Sequence, residues 1–163
     1  MNKPLEGLFV VELTTYWAAH PAGEFLRCLG ARVVNIETGK AGDSVRYWGR
    51  TCRMPCESNA HPTFDLFNVG KEFMHRDLND PEHERVLHNM LAKADVFLTS
   101  MRLGGLKKHN LDDETLKKNC PRLVMAHATG YGSKDGPLSA APGLDAVAFF
   151  AMNGLISDLR MNP

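Results

Sequence analysis

The chain has 163 residues, of which 44% are hydrophobic, and its 19 lysines and arginines equal its 19 aspartates and glutamates in number. This length and composition suffice for one sizeable hydrophobic core, so one domain or most of one is expected. The balanced charge argues against nucleic acid or an acidic membrane as a partner. No apolar run approaches the roughly 20 residues of a membrane span, and residues 1–4 do not resemble a signal peptide, which predicts a cytoplasmic protein.

The four cysteines favour free thiols in a reducing compartment over a metal site. Cys28 lies inside a predicted helix and Cys120 just before a predicted strand, which are ordinary positions for reduced thiols. Cys52, Cys56 and His61 could supply three zinc ligands, but the nearby sequence offers no fourth ligand. We therefore expect no bound metal.

Residues 8–37 predict a βαβ unit. Residues 8–13 form a short, largely apolar run, which is typical of a strand covered on both faces. Helical spacing follows over residues 18–29, and Gly30 is a helix stop. Residues 32–37 predict the second strand, and the crossover between the two strands should be right-handed.

The alternation of strands and helices continues after a long loop. Residues 38–63 are rich in Gly, Pro, Ser, Arg and Cys, and a loop of that length is usually functional or mobile. Asp80 and Pro81 predict the N-cap and first position of the next helix. Further strands are predicted at residues 72–77, 95–99 and 122–127, and helices at 81–93, 105–109, 112–119 and 145–156. The pattern predicts an α/β fold with a mostly parallel sheet flanked by helices.

The turn after the first strand lacks the glycines of the common phosphate-binding loops. A dinucleotide-binding fold would need Gly-x-Gly-x-x-Gly here, whereas residues 14–20 read Thr-Thr-Tyr-Trp-Ala-Ala-His. A Gly-x4-Gly-Lys-Ser/Thr loop is also absent from the sequence. Both observations argue against a classical nicotinamide site and against a P-loop.

Nine short motifs occur in a fixed order along the chain, at residues 4–14, 29–37, 42–46, 67–71, 77–82, 92–96, 119–124, 130–137 and 142–145. They include Leu29-Gly30-Ala31, Asp77-Leu78-x-Asp80-Pro81-Glu82 and Gly130-Tyr131-Gly132. The series resembles the family III CoA-transferases, the formyl-CoA transferase and carnitine CoA-transferase group, from Pro4 to about Ser157. Each motif alone is weak, whereas nine motifs in register are a specific signal.

The resemblance implies a Rossmann-like large domain that binds CoA, of which residues 1–163 would be the amino-terminal part, in an interlocked homodimer. It implies CoA transfer between an acyl-CoA thioester and a carboxylic acid through anhydride and aspartyl-CoA intermediates, with no tightly bound cofactor. In the family, the nucleophilic aspartate follows a glycine, and no Gly-Asp pair lies downstream of Asp145. The nucleophile is therefore expected beyond Pro163, and the chain is expected to be inactive alone.

The resemblance assigns CoA-binding roles to several positions near the amino terminus. Trp17 and Ala18 match the turn after the first strand, where the family contacts CoA and the active centre. Trp17 replaces a small or amide side chain, and it could instead fill the junction between loop and helix. Thr38 falls where relatives often have a basic residue that grips CoA phosphates, and Lys40 is two residues away.

A second set of assignments concerns the adenosine end of CoA. Arg76, Asp77, Leu78 and Asn79 match a stretch that lines this end in relatives, partly through backbone groups. The alternative is that they form only a strand end and a helix cap. Lys108 falls at a position that is often basic in relatives, although a Lys-Lys-His run is usually a solvated face.

The segment after the fourth strand carries the remaining assigned contacts. Ser100, Met101 and Arg102 stand where relatives usually have Asn-Phe-Arg, at the carboxyl end of a strand where α/β ligands bind. Ser can still donate a hydrogen bond, Met can replace the aromatic surface, and the arginine is retained.

Asp145 is expected to support catalysis, because relatives carry an acid near the reacting thioester at this position; it could also simply cap the last helix. The α-methylacyl-CoA racemases share the fold and place a catalytic histidine directly before this acid. Leu144 stands there, so racemase activity is disfavoured. A non-catalytic CoA-binding module is a third alternative. Within the transferases, residues 64–67, 95–102 and 145–150 are similar to the branch acting on 2-hydroxy acids and arylpropenoic acids.

Overall fold

The computed structural model describes residues 3–39, 41–51, 53–54, 60–132, 136–144 and 146–159. Its elements in chain order are β1 (Phe9–Leu13), α1 (His20–Cys28), β2 (Arg32–Glu37), a 3₁₀ turn (Ser44–Tyr47), α2 (Trp48–Thr51), α3 (Pro62–Asp65), β3 (Glu72–His75), α4 (Pro81–Leu91), β4 (Val96–Thr99), α5 (Leu103–Lys108), α6 (Asp113–Asn119), β5 (Val124–His127), a π-helical turn (Ala146–Ala151) and α7 (Leu155–Asp158).

The five strands form one sheet in the order β3-β2-β1-β4-β5, and every neighbouring pair is parallel. In the centre of the sheet, Val11 pairs with Val34 on one side and with Phe97 on the other. Parallel strands that are covered on both faces are typically rich in β-branched and other apolar residues, as β1 and β2 are. The predicted α/β class and the parallel sheet are confirmed.

Helices cover both faces of the sheet. On one face, Leu87 of α4 and Leu106 of α5 pack with Phe97 of β4 in the main core. On the other face, Leu26 of α1 packs against a smaller cluster that includes Val33. α1 also turns His20 and Gly23 towards the sheet, and both residues are buried. The candidate site lies beside these residues, at the carboxyl end of β1.

Helix ends follow the predicted signals. Asp80 accepts a hydrogen bond from the N–H of Glu82 at 2.8 Å, and Pro81 is the first residue of α4, as predicted. Gly30 ends α1 with φ of 109°, a left-handed conformation that favours glycine. In the described ranges, no helix is both long and apolar enough to pass through a bilayer.

Two predictions about the irregular parts of the chain were wrong. The predicted loop of residues 38–63 contains the 3₁₀ turn, α2 and the start of α3. The single helix predicted for residues 145–156 is divided into a π-helical turn and α7. Gly154 lies between these two pieces with φ of 82°, and a left-handed residue cannot continue a right-handed helix.

Candidate functional site

The sheet has a topological switch point between β1 and β4. The chain adds β2 and β3 on one side of β1 and then returns to add β4 and β5 on the other side. Ligands of open α/β sheets bind outside the carboxyl ends of the strands at such a point. A cleft of about 210 Å³ opens there and is lined by Leu13, Thr15, Thr38, Ser100, Met101 and Arg102.

Four of the residues expected to bind CoA line this cleft, namely Thr38 after β2 and Ser100, Met101 and Arg102 after β4. The backbone N–H of Thr15 donates to Ser100 Oγ at 2.9 Å, which joins the carboxyl ends of β1 and β4. This bond uses a lone pair of the oxygen, so the hydroxyl can still donate its hydrogen to a ligand.

Hydrogen bonds behind the cleft fix the turn that follows β4. The buried hydroxyl of Thr99 donates to the carbonyl oxygen of Leu13 at 2.9 Å and accepts from the N–H of Met101 at 3.1 Å. The Met101 carbonyl oxygen lies 2.7 Å from Nε2 of His127, the last residue of β5, which donates to it. His127 therefore holds this turn in place, a structural role.

Arg102 gives the cleft its positive charge. It is the N-cap residue of α5, has an extended backbone and is exposed. Its guanidinium makes one long contact, 3.5 Å from Nη1 to the carbonyl oxygen of Ala140. Within the described part of the chain it forms no ion pair. A guanidinium in this situation can bind a phosphate through two parallel hydrogen bonds.

The other expected CoA residues after β3 form a polar group of their own. Asp77 Oδ1 accepts from the backbone and side-chain nitrogens of Asn79, at 3.0 and 2.9 Å. Asn79 Oδ1 accepts from Lys108 Nζ at 2.6 Å, which links this turn to the end of α5. Arg76 bonds through its backbone N–H to the last residue of β2 at 2.9 Å. The side chain of Leu78 is buried in the core, so only its backbone could meet a ligand.

The turn after β1 carries an aromatic cluster. Trp17 packs edge-on against Trp48, with ring centroids 5.6 Å apart, and lies 6.3 Å from Phe67. Tyr16 contacts Trp48 at 5.7 Å and has φ of 63°, an uncommon left-handed conformation for an aromatic residue. Ala18 is exposed, and Trp17 is 40% exposed. Trp17 therefore fills the junction between this turn and α1 and leaves part of its ring exposed to solvent.

A network of buried charges lies beneath this turn, and the sequence did not predict it. His20 Nδ1 faces Glu12 Oε1, and His20 Nε2 lies 2.9 Å from Asp43 Oδ2. Lys71 Nζ donates to Glu12 Oε2 at 2.8 Å and to the carbonyl oxygen of His20 at 3.0 Å. The Thr14 hydroxyl donates to Glu12 Oε1 at 2.8 Å. Two basic and two acidic side chains are thus held together away from water.

Burial and hydrogen bonding shift the pKa values of this network. Burial alone lowers the pKa of His20, but hydrogen bonds to Asp43 and Glu12 outweigh it, so the pKa is raised. Burial raises the pKa of Asp43, but bonds from His20 and from the N–H of Val45 outweigh it, so the pKa is lowered. For Lys71, burial outweighs the attraction of Glu12 and the pKa is lowered. The hydrogen-bond pattern fits two cations held against two anions.

Another buried acid, Glu37, forms an ion pair with Arg46 beside this network. Arg46 binds both carboxylate oxygens of Glu37 at the end of β2, and its guanidinium lies 3.7 Å from the centroid of the Phe64 ring. Glu37 Oε2 also accepts from the N–H of Asp43 at 3.0 Å. Burial raises the pKa of Glu37, but the bonds from Arg46 and from this N–H outweigh it, so the pKa is lowered. Glu37 and Asp43 are therefore fully engaged carboxylates and poor nucleophiles.

One signal in the sequence points to this network. Glu12 and Glu37 stand within the runs that predict the first two strands, where a buried carboxylate needs a cationic partner. The partners turned out to be His20, Lys71 and Arg46. Lys71 is 59 residues from Glu12 in the chain, so no local pattern could have paired them.

Some expected groups lie outside the described residues, namely Asp145, Lys40, Cys52 and Cys56. His61, considered as a zinc ligand with the two cysteines, is described, and its Nδ1 lies 3.1 Å from a backbone carbonyl oxygen. Among the described residues, no cluster of three or more His, Cys, Asp or Glu side chains is arranged to hold a metal ion.

The fold and the cleft together define an α/β protein with a cleft at the switch point of its parallel sheet, the place where such folds typically bind ligands. The chain belongs to CoA-transferase family III, whose family model matches residues 5–159. The resemblance of the nine motifs is thereby confirmed.

Two curated relatives illustrate the match. The chain is 42% identical over 153 residues to the cinnamoyl-CoA:phenyllactate CoA-transferase of Clostridium sporogenes, which covers 94% of this chain and 37% of that protein. It is 36% identical over 151 residues to the (R)-2-hydroxy-4-methylpentanoate CoA-transferase of Clostridioides difficile, which covers 93% of this chain and 37% of that protein. The chain thus spans little more than a third of the length of these relatives.

Solved structures give the same family. A CAIB/BAIF family protein from Brucella suis superimposes with a TM-score of 0.84 at 34% identity, covering 100% of this chain and 42% of that chain. Rv3272 from Mycobacterium tuberculosis superimposes with a TM-score of 0.81 at 28% identity, covering 99% of this chain and 42% of that chain.

Proposed function

We propose that this chain supplies the CoA-binding platform of an enzyme that transfers CoA between an acyl-CoA thioester and a carboxylic acid. The observation that carries the proposal is the cleft at the switch point. Thr38, Ser100 and Arg102, which the resemblance assigned to CoA contacts, converge there from the ends of two strands. The proposal includes an interlocked homodimer, and an inactive chain when residues 1–163 are expressed alone.

The positive charges near the cleft suit the phosphates of CoA. Arg102 is the N-cap residue of α5 and Lys108 is its last residue, so their backbone positions are about 9 Å apart along the helix axis. CoA carries a pyrophosphate and a ribose 3′-phosphate, which are two anionic groups joined by one sugar. We propose that Arg102 binds one of these groups and that Lys108, held by Asn79 at 2.6 Å, binds the other.

The nucleophile of the proposed reaction is an aspartate outside residues 1–163. Its carboxylate would attack the thioester carbonyl, release CoA as a thiolate and form a mixed anhydride. The thiolate would then attack the aspartyl carbonyl, release the donor acid and leave an aspartyl-CoA thioester for the acceptor carboxylate. Glu12, Glu37 and Asp43 are buried acids beside the cleft segments, and their carboxylates are already occupied by basic side chains and other hydrogen-bond donors.

Asp145 is proposed to support this chemistry. The proposal rests on its match to an acid that lies near the reacting thioester in relatives. Replacing it by Asn would keep its shape and remove its charge. A lower kcat with an unchanged KM for the acyl-CoA would support the role, because such a change removes an interaction made only in the transition state.

For the acyl group, we propose an apolar 2-hydroxy acid or arylpropenoic acid. The two curated relatives described above are named for such substrates. The aromatic cluster supports this choice, because the partly exposed ring of Trp17, backed by Trp48 and Phe67, offers an apolar wall next to a cleft-lining turn.

The direct test is thioester exchange by the protein expressed from the complete reading frame. Cinnamoyl-CoA and phenyllactate would be mixed with the enzyme, and formation of phenyllactyl-CoA would be followed by chromatography. Exchange supports the proposal, and its absence with CoA still bound favours the non-catalytic CoA-binding module. Racemisation of a 2-methylacyl-CoA without exchange would favour the racemase, which Leu144 argues against.

A further inference from the structure

His20 lies between two carboxylates and has no role in the proposed reaction. It is the first residue of α1, and its side chain is fully buried. One ring nitrogen faces Glu12 of β1, and the other lies 2.9 Å from Asp43, in the segment between β2 and the 3₁₀ turn. The ring therefore connects the central strand to a segment that follows its neighbour.

Each ring nitrogen of His20 faces a carboxylate oxygen, and the Thr14 hydroxyl, 3.0 Å from Nδ1, donates its single hydrogen to Glu12. An ionised carboxylate only accepts hydrogen bonds, and a neutral imidazole carries hydrogen on only one nitrogen. With Glu12 on one side and Asp43 on the other, the ring satisfies both carboxylates only as an imidazolium. The direction of its pKa shift agrees, because the two hydrogen bonds outweigh the effect of burial.

Asp43 connects this cation to the backbone around the cleft. Its carboxylate accepts from the N–H of Val45 at 2.8 Å and from the N–H of Tyr16 at 3.2 Å. Tyr16 has φ of 63°, a conformation that costs of order 1 kcal/mol or more for a residue with a side chain and persists only where neighbours hold it. The preceding residue, Thr15, lines the cleft and bonds to Ser100.

We propose that His20 is a positioning residue: its imidazolium, held between Glu12 and Asp43, fixes the turn after β1 in the arrangement that binds CoA. The identity of the ligand rests on the proposed function, whereas the link between the two segments rests on the hydrogen bonds alone. A neutral ring would lose its hydrogen bond to one of the two carboxylates, and the turn that holds Tyr16 in its left-handed conformation would loosen.

CoA affinity should therefore fall as pH rises and the ring loses its proton. The charged groups that face the ring determine the pH at which it loses this proton. Glu12 from β1 and Asp43 from the segment after β2 favour the charged ring. Lys71, which bonds to Glu12, opposes it, and Glu37 beside Asp43 is neutralised by its own arginine.

The test compares His20→Gln with His88→Gln in the protein expressed from the complete reading frame. His88 is a matched control, because it also ties two elements together: its Nε2 lies 3.0 Å from a carbonyl oxygen, and it does not line the cleft. CoA binding would be measured by calorimetry across pH, and amide hydrogen exchange would be measured at Tyr16 and Val45.

We expect His20→Gln to weaken CoA binding by about 10- to 100-fold near neutral pH, the usual effect of losing a group that orients a site. In this variant, the affinity for CoA should no longer fall at high pH, and the amide hydrogen of Tyr16 should exchange faster than in wild type. His88→Gln should keep the wild-type affinity, pH profile and Tyr16 exchange. Equal CoA affinity and equal Tyr16 exchange in His20→Gln and wild type would overturn the inference.

Two further outcomes separate the inference from the proposed function. A wild-type protein that does not bind CoA overturns the proposed function, while Tyr16 exchange in the variants still decides whether His20 holds the turn. Should His20→Gln fail to fold, ¹⁵N spectra of the wild-type ring decide instead. Two protonated ring nitrogens at neutral pH support the inference, and a neutral ring overturns it.

Discussion

The backbone N–H of Thr15 donates to Ser100 Oγ at 2.9 Å, and this bond crosses the switch point of the sheet. Thr15 follows β1 and Ser100 follows β4, so one hydrogen bond joins the two strands whose carboxyl ends enclose the cleft. Together with the pairing of β1 and β4, the bond fixes how far apart the segments after these strands lie. Residues that fix such a separation influence ligand affinity even where they contribute little to stability.

We expect Ser100→Ala to lower CoA affinity several-fold. The substitution leaves the Thr15 N–H without its acceptor and should lower the free energy of unfolding by about 1 kcal/mol. Ser139→Ala is the control, because its hydroxyl also bonds to one backbone group, at 2.9 Å, but Ser139 does not line the cleft. Calorimetric titration with CoA and urea unfolding would measure both effects. Equal affinities for the two variants would contradict the prediction.

Arg102→Ala should weaken CoA binding by about 10-fold, and Arg102→Lys by less, because lysine keeps the charge but not the two-point geometry. The loss should shrink at high salt, because part of the attraction is screened. Arg85→Ala is the control: this arginine is exposed on α4 and paired with Glu82 at 2.6 Å. A loss of equal size for Arg85→Ala would show that general charge, not the cleft, attracts CoA.

Lys108→Gln should weaken the binding of CoA more than that of dephospho-CoA, which lacks the ribose 3′-phosphate. The preference follows if Lys108, held by Asn79, binds that phosphate. Lys107→Gln, at the neighbouring exposed position, should affect both ligands equally and slightly. Competition binding with the two ligands gives the ratio directly. If the ratio of the affinities for CoA and dephospho-CoA is unchanged in Lys108→Gln, Lys108 does not bind the ribose 3′-phosphate.

Stability should depend on pH through His20 and Asp43. The pKa of His20 is raised in the folded state, so its contribution is fully present below an unfolded pKa of about 6.5 and is lost as pH rises through the folded value. The pKa of Asp43 is lowered, so its contribution is present above an unfolded pKa of about 3.9 and is lost as pH falls through the folded value. Urea unfolding of wild type and His20→Gln from pH 6 to 9 tests the first claim, because the difference between them should shrink as pH rises.

Gly23→Ala should destabilise the fold by about 3 kcal/mol, through overpacking and disruption of a buried ion pair. An added Cβ would lie 1.9 Å from Glu12 Oε2 and 3.1 Å from Lys71 Nζ. Gly104→Ala is the control within another helix, because an added Cβ meets nothing within 4 Å there. It should stabilise by about 0.5–1 kcal/mol through helix propensity alone. Thermal unfolding that ranked the two variants in the opposite order would contradict the packing at Gly23.

The regular elements were predictable because their signals are local. Apolar runs and helical spacing predicted all five strands, and Asp80 with Pro81 predicted the start of α4. The final helix was predicted wrongly because its apolar spacing continues through Gly154, and spacing alone does not show a change of backbone hand.

The site was only partly predictable. The resemblance pointed to Thr38, Ser100, Met101 and Arg102. These residues line one cleft because the carboxyl ends of parallel strands meet at one edge of the sheet. The charge network of His20 could not be predicted in the same way. Its members come from four separate segments, and only the packing of α1 on the sheet brings them together.

The most direct test of the account is a crystal structure of the protein from the complete reading frame with CoA bound. We predict CoA at the carboxyl edge of the sheet, in contact with Thr38, Ser100 and Arg102, with a phosphate near Lys108. CoA bound elsewhere on the molecule, with the cleft between β1 and β4 empty, would contradict the account.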